Sequence, residues 1–314
     1  MNKIEARILL VIITFFASVQ YAFIGAIGEE YSPFGFSCLS NLIGLFLMCF
    51  VFGSTIISEF YRYTKKVLLQ SLLLAVELTG FNVFMLIGAS DEAPTVSAGI
   101  LSSFFIFIPV ITFFIRFEKP KINIIIASVV AILGVLLVSE FDVTEPWSMS
   151  TLALIAADIC FALYTVTVGK LSTGVSPTFL AIGQLFWCVL LTGVLWVGEV
   201  SFLGGSFEIP DSPAFVIAVC FVGIFLKGIY TLSQINAQRF VTPIETSLIF
   251  ASEILMTMFV SPFLSLFMGT QPEVISLKRV AGALLVIVGI LAADDNLYNK
   301  LKRNIKRVKG GRTS

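Results

Sequence analysis

The sequence predicts an all-α integral membrane protein of ten transmembrane helices, built as two inverted five-helix repeats with both termini cytoplasmic. Three observations predict it. Of 314 residues, 57% are hydrophobic and 13% charged, with a mean hydropathy of +0.99, a balance that a soluble globular chain of this length does not tolerate at its surface. Apolar runs of about 20 residues, long enough to cross the hydrocarbon core as a helix, recur ten times. The second half of the chain also echoes the first at a nearly constant offset.

The first run begins near Ala6. It is too long for a signal-peptide core and lacks a convincing cleavage site, so it reads as a span. Glu29-Glu30-Tyr31-Ser32-Pro33 closes it, and the second run begins near Gly35. The third and fourth begin near Val67 and Pro94. Arg116-Phe117-Glu118-Lys119-Pro120 makes the turn into the fifth, near Ile122, and Thr144-Glu145-Pro146-Trp147 the turn into the sixth, near Ser150. The remaining four begin near Thr178, Ala214, Pro243 and Leu277. The connections are short, and no soluble domain fits between them.

Orientation follows from the basic residues, because loops rich in Lys and Arg stay in the cytoplasm. Lys3, Arg7, Arg62, Lys65, Lys66, Arg116, Lys119, Lys121, Lys170 and Arg239 fall at the N-terminus or in even-numbered loops. Seven more lie in the acid-free tail from Lys300 to Arg312, which reads as a topology anchor against anionic lipid. The odd loops carry acids instead, among them Glu29, Asp91, Glu92, Glu140, Asp142, Glu208 and Asp211. Lys278 and Arg279 are the exception. The expected location is the plasma membrane, with several passes.

The repeat is visible in three echoes. Thr95-Val96-Ser97-Ala98 returns 147 positions later as Thr242-Pro243-Ile244-Glu245. Leu78-Thr79-Gly80 returns 148 on as Leu226-Lys227-Gly228, and Leu133-Gly134-Val135-Leu136 returns 155 on as Val288-Gly289-Ile290-Leu291. Five crossings per copy turn the second copy upside down, a plan that places a solute site at mid-membrane. The units are residues 1–146, 147–298 and a tail over 299–314.

Several chemistries are excluded or disfavoured. Histidine is absent, which removes imidazole as proton carrier, ligand and base. The five cysteines, Cys38, Cys49, Cys160, Cys188 and Cys220, show no metal-ligand spacing and read as small core residues. There is no HExxH pair, no GxxxxGK[ST] loop and no basic patch for nucleic acid. No cofactor or metal is expected, and an enzyme is not.

The candidate site rests on buried polar residues. An ionisable group deep in a span costs on the order of 3 kcal/mol and needs a partner or a watery cavity. Lys227 lies about 20 Å and Glu253 about 15 Å from the cytoplasmic ends of the eighth and ninth helices, at 1.5 Å per residue. Lys227, Tyr230, Thr231, Gln234 and Gln238 share one face of the eighth helix. That stripe reads as cavity lining, with hydrogen bonding to neighbouring helices as the alternative. Lys227 and Glu253 form either a permanent neutralising pair or one broken by substrate or proton. Glu77, with Gln70 on the same face of the third helix, is either a counter-ion for Lys227 or half of a pseudo-symmetric pair suited to a zwitterion such as an amino acid. Asp158, in the sixth helix with Thr165 seven residues on, is a further buried charge. Carboxylates taken out of water make proton carriers, so Glu253, Glu77 and Asp158 are the candidates for proton coupling. Thr95, Gly99, Ser102 and Ser103 read equally as close packing or as cavity wall. Trp187 is either lipid-facing or a wall for the solute. Ala127, Ala131, Gly282 and Gly289 read as packing faces, a dimer contact being the other reading.

The residues also carry a resemblance. Ser32-Pro33, Thr95-Val96-Ser97-Ala98-Gly99 with Pro109, Cys160-Phe161-Ala162-Leu163-Tyr164-Thr165-Val166, Ser176-Pro177 with Gln184, and Thr242-Pro243-Ile244-Glu245 leading to Ser252-Glu253 resemble, in order and spacing, the ten-helix EamA-type members of the drug/metabolite transporter superfamily. The match covers nearly the whole chain. It departs where Ile254 follows Glu253 in place of proline, and where Ser40-Asn41 stands in place of an arginine. Loss of that proline removes the expected kink and leaves Pro262 to bend the ninth helix farther out. The resemblance implies a central cavity lined by helices one, three, four, six, eight and nine, with five and ten peripheral, and favours export. The expected partners are a small-molecule solute, protons and membrane lipids, in a monomer or homodimer. The substrate-binding residues expected are Lys227, Tyr230, Gln234, Glu77, Ser102 and Trp187. The rivals are efflux of hydrophobic cations, an integral membrane enzyme and a membrane scaffold without transport.

Overall fold

In the computed structural model the described residues are 1–27, 31–58, 61, 64–89, 92, 94–116, 122–138, 148–267 and 274–293. The turns expected at 29–30, 117–120 and 144–147, the loop charges Arg62, Asp91, Lys119, Lys121, Glu140 and Asp142, and the basic tail lie outside them. Among the described residues every regular element is helical. The helices are α1 (Lys3–Ile27), α2 (Pro33–Ser58), α3 (Lys65–Ala89), α4 (94–116), α5 (Ile122–Val138), α6 (Met149–Leu171), α7 (Pro177–Phe202), α8 (Pro213–Ala237), α9 (Pro243–Phe267) and α10 (Leu277–Ala293). Eight of them are long and apolar enough to cross a membrane. The other two, α5 and α10, have 17 residues each.

Local chemistry starts these helices. Pro33, Pro94, Pro177, Pro213 and Pro243 each open one, where the missing N–H costs nothing. Ser212 Oγ accepts from Phe215 N at 3.2 Å. At α9, Thr242 Oγ1 accepts from Glu245 N at 3.2 Å while Glu245 returns the bond to Thr242 N at 3.4 Å, a capping box that meets two end donors at once.

Helix α3 packs on α6 and α7, α2 on α7 and α8, α1 on α8 and α9, and α4 on α6 and α9, while α5 lies against α10 at the edge. Backbones touch in that last pair. A Cβ at Gly282 would stand 2.6 Å from Gly134 O, and one at Gly289 would stand 2.8 Å from Ala127 O. These small residues are therefore covered within the chain, which is the packing reading of that stripe. The outer surface is apolar, with Phe50 81% and Phe263 74% exposed, as hydrocarbon favours and water does not.

Among the described residues two small apolar clusters lie beside α5 and α10, and two large ones fill most of the interior. One holds Leu10, Leu74, Ile108, Val168, Leu180, Ile235 and Phe250, towards the end of the bundle where α1 begins. The other holds Ile24, Phe36, Leu86, Leu101, Leu154 and Phe215, towards the opposite end. Three helices lose α-helical regularity in the middle of their lengths. Ser102–Ile106 of α4 is 3-10, Val222–Tyr230 of α8 is π-helical, and α9 is interrupted at Ala251 and Ser252. The interruption of α9 thus falls before Glu253, and Pro262 lies inside the continuous stretch Glu253–Phe267. That interruption, which lies N-terminal to Pro262, was not foreseen from the sequence. The local cause is Ser252, whose hydroxyl and N–H both bond Ile249 O, at 2.6 and 3.1 Å, and tighten the chain there.

Candidate functional site

Where the two large apolar clusters meet, α1, α3, α4, α6, α8 and α9 line a cavity of about 40 Å³. Its polar wall is Gln20 and Tyr21 of α1, Asn82 of α3, Lys227, Tyr230, Thr231 and Gln234 of α8, and Glu253 of α9. Its apolar wall includes Phe81, Phe104 and Phe161, with ring centroids of Phe161 4.5 Å from Phe81 and 4.9 Å from Phe104. Such a volume holds only a few waters at roughly 10–15 Å³ each.

Lys227 is 6% exposed, and its Nζ donates to Asn82 Oδ1 at 2.6 Å. Close approach of α2 shapes its stem, since a Cβ at Gly44 would lie 2.6 Å from Lys227 Cβ. The π-helical turn of α8 carries the lysine, a distortion that recurs at functional sites. Glu253 sits in the first turn after the break in α9 and interacts with the Tyr21 side chain. Among the described residues no ion pair joins Lys227 to Glu253 or to Glu77. The described pairs lie at the start of α1, where Met1 meets Glu5, and Lys3 and Arg7 reach Glu245 Oε1 at 2.9 and 2.6 Å.

Several polar atoms in and around the cavity have no partner among the described residues. They include Asn82 Nδ2, Glu253 Oε1 and both amide atoms of Gln234. A buried group left this way costs about 1–3 kcal/mol, so the cavity wall is a poor apolar core and a ready site for water or a polar solute.

The residues singled out in the sequence divide. Lys227, Tyr230, Gln234 and Glu253 meet in the cavity wall. Glu77 lies outside that wall, at the seam of α3 and α6, where it accepts from Thr167 Oγ1 at 2.9 Å. Asp158 is fully buried and accepts from Ser103 Oγ at 2.5 Å, which ties α6 to the 3-10 stretch of α4. Ser102 turns back on its own helix and donates to Ala98 O at 2.6 Å. Trp187 also stands away from the cavity, and its Nε1 donates to Leu68 O at 3.2 Å. The sequence reading missed Gln20, Tyr21 and Asn82. An amide three residues past Thr79, the repeat equivalent of Lys227, was the available signal.

No family model matches the chain, and no curated protein matches it. A solved crystal structure of a protein superposes with a TM-score of 0.66 and 14% identity, over 95% of this chain and 97% of the other. That likeness shows a shared fold. The described helices are those of a multi-pass membrane protein with a small polar cavity at its centre.

Proposed function

We propose that the chain is a secondary active transporter of a small polar, amino-acid-like solute. It is an exporter of the ten-helix EamA type in the plasma membrane, with both termini cytoplasmic, alternating access and protons coupled through a carboxylate. The observation that carries this is the cavity itself, with Lys227 and Glu253 in one wall, unpaired with each other, between two packed apolar clusters. A zwitterion suits it. Its carboxylate matches Lys227 and Asn82, and its ammonium matches Glu253 beside the faces of Tyr21 and Tyr230. Glu253 is then the group for which a proton and an ammonium compete.

The volume of about 40 Å³ requires the walls to part before a solute enters. The irregular stretches of α4, α8 and α9 supply places for that motion. The packing pattern supports the inverted repeat, because exchanging the first five helices with the second five returns the principal neighbour pairs, α3–α6 with α1–α8 and α4–α6 with α1–α9 among them. The 3-10 stretch at 102–106 and the break at 251–252 also fall at corresponding positions under the 147-residue offset. The aromatic wall favours a second reading, efflux of a hydrophobic cation on Glu253, against which Lys227 stands as a repelling charge.

The test is an untargeted comparison of solutes in cells and medium for wild type, Lys227→Ala and Glu253→Gln at matched membrane levels. The proposal expects amino-acid-like compounds enriched in the medium with wild type, and reduced about tenfold or more in both variants, as loss of one charged contact worth at least 1.4 kcal/mol implies. Enrichment of lipophilic cations would favour the second reading. No difference between wild type and variants at any pH would sink both.

A further inference from the structure

Two glutamines on α8 stand out among the buried polar groups. Gln234 is fully buried and Gln238 is 3% exposed, and neither the oxygen nor the nitrogen of either amide has a partner among the described residues. They lie one turn apart, about 6 Å along the helix. Gln234 is in the cavity wall, and Gln238 caps the C-terminal end of that helix. The same end of the bundle holds Leu10, Ile235, Ala237, Val241 and Phe250, an apolar cluster in which leucine would serve better than an amide. The other half of α8 is different in kind. From Pro213 to Leu226 it carries no hydroxyl, amide or charge. Its polar face therefore runs in one direction only, from Lys227 towards the end of the bundle where α1 begins.

At that same end α1 is joined to α9. Lys3 and Arg7 of α1 both hold Glu245 Oε1 at the start of α9, so α1 and α9 are clamped beside the apolar cluster. An uncharged amide donates and accepts, and meets water or either end of a zwitterion without trapping it.

We infer that Gln234 and Gln238 line the cytoplasmic half of the solute path, closed in this conformation and held closed by the Lys3–Arg7–Glu245 clamp. This rests on the transport reading above and adds to it the route between cavity and cytoplasm.

The test is site-specific labelling of the full chain in sealed vesicles by a membrane-impermeant maleimide applied from the side of the termini. Peptide mass spectrometry distinguishes the introduced thiol from the five native ones. Gln238→Cys is expected to label, and about tenfold faster when Glu245→Gln is added, the shift expected when two partly exposed ion pairs weaken together. Ile235→Cys, in the apolar cluster, is the control. Equal labelling of Gln238→Cys and Ile235→Cys, with and without Glu245→Gln, would overturn the inference. A second pair of variants guards against misfolding. Gln234→Leu and Gln238→Leu are expected to keep the wild-type melting midpoint or raise it, while transport falls about tenfold or more. Wild-type transport by both would mean that the amides are packing only, and would leave the transporter reading standing. Labelling as expected with no transport by wild type would sink that reading alone.

Discussion

Lys227 is held by a neutral partner, and that choice has consequences. The Asn82 carbonyl satisfies one of its three donors at 2.6 Å and leaves the charge itself uncompensated within the described residues. Asn82→Leu is expected to lower stability by about 2–3 kcal/mol, because a hydrogen bond to a charged group is lost in a buried place. A denaturant or thermal titration of the purified protein checks it. Asn82→Asp sets the opposite experiment. A carboxylate there would pair with the lysine, and the variant is expected to be at least as stable as wild type yet to transport about tenfold less or worse, because the pair occupies the group meant for the solute. Unimpaired transport by Asn82→Asp would contradict a solute-binding role for Lys227. At this scale the sequence was legible where burial is expensive. A lysine and a glutamate in hydrocarbon-length runs announce themselves, and both line the cavity. Tyr21 and Asn82 carry no charge to announce them. Trp187 and Ser102 show the converse, since a residue type suited to a cavity is equally suited to bonding a nearby carbonyl.

Helices were legible as runs because proline and serine punctuate them, and each begins within three residues of the position read from the sequence. Departures from α geometry were not. The π-helical turn at Val222–Tyr230 and the break at Ala251 and Ser252 depend on which carbonyl each N–H reaches, and that choice leaves no mark on composition. Pro262 lies beyond that break and does not mark it. The pairing of α5 with α10 depends on glycines, and it offers a test of its own. Gly282→Leu puts a side chain against Gly134 O, 2.6 Å from the added Cβ. It is expected to cost about 1–3 kcal/mol as overpacking does, measured as a lower melting midpoint in detergent. Transport by whatever protein remains folded is expected to persist, since α5 and α10 contribute nothing to the cavity wall.

As a whole the molecule has apolar packing on both sides of a small polar cavity and a clamp of Lys3, Arg7 and Glu245 at one end. Buried polar atoms without partners are tolerable in such a structure if another conformation hydrates them. The overall hydropathy made the membrane class plain from composition alone, whereas the size of the cavity depends on side-chain packing between distant segments and could not be read in one dimension. Direct flux settles whether this conformation is one stage of a cycle. Purified wild type and Lys227→Ala would be reconstituted in sealed liposomes with a pH-reporting dye inside and a pH gradient across the membrane, and zwitterionic amino acids would be added singly. Solute-dependent proton movement with wild type, about tenfold smaller or absent with Lys227→Ala, is the result expected. Equal proton movement with and without solute, or equal fluxes for the two proteins, would contradict a solute site built on Lys227.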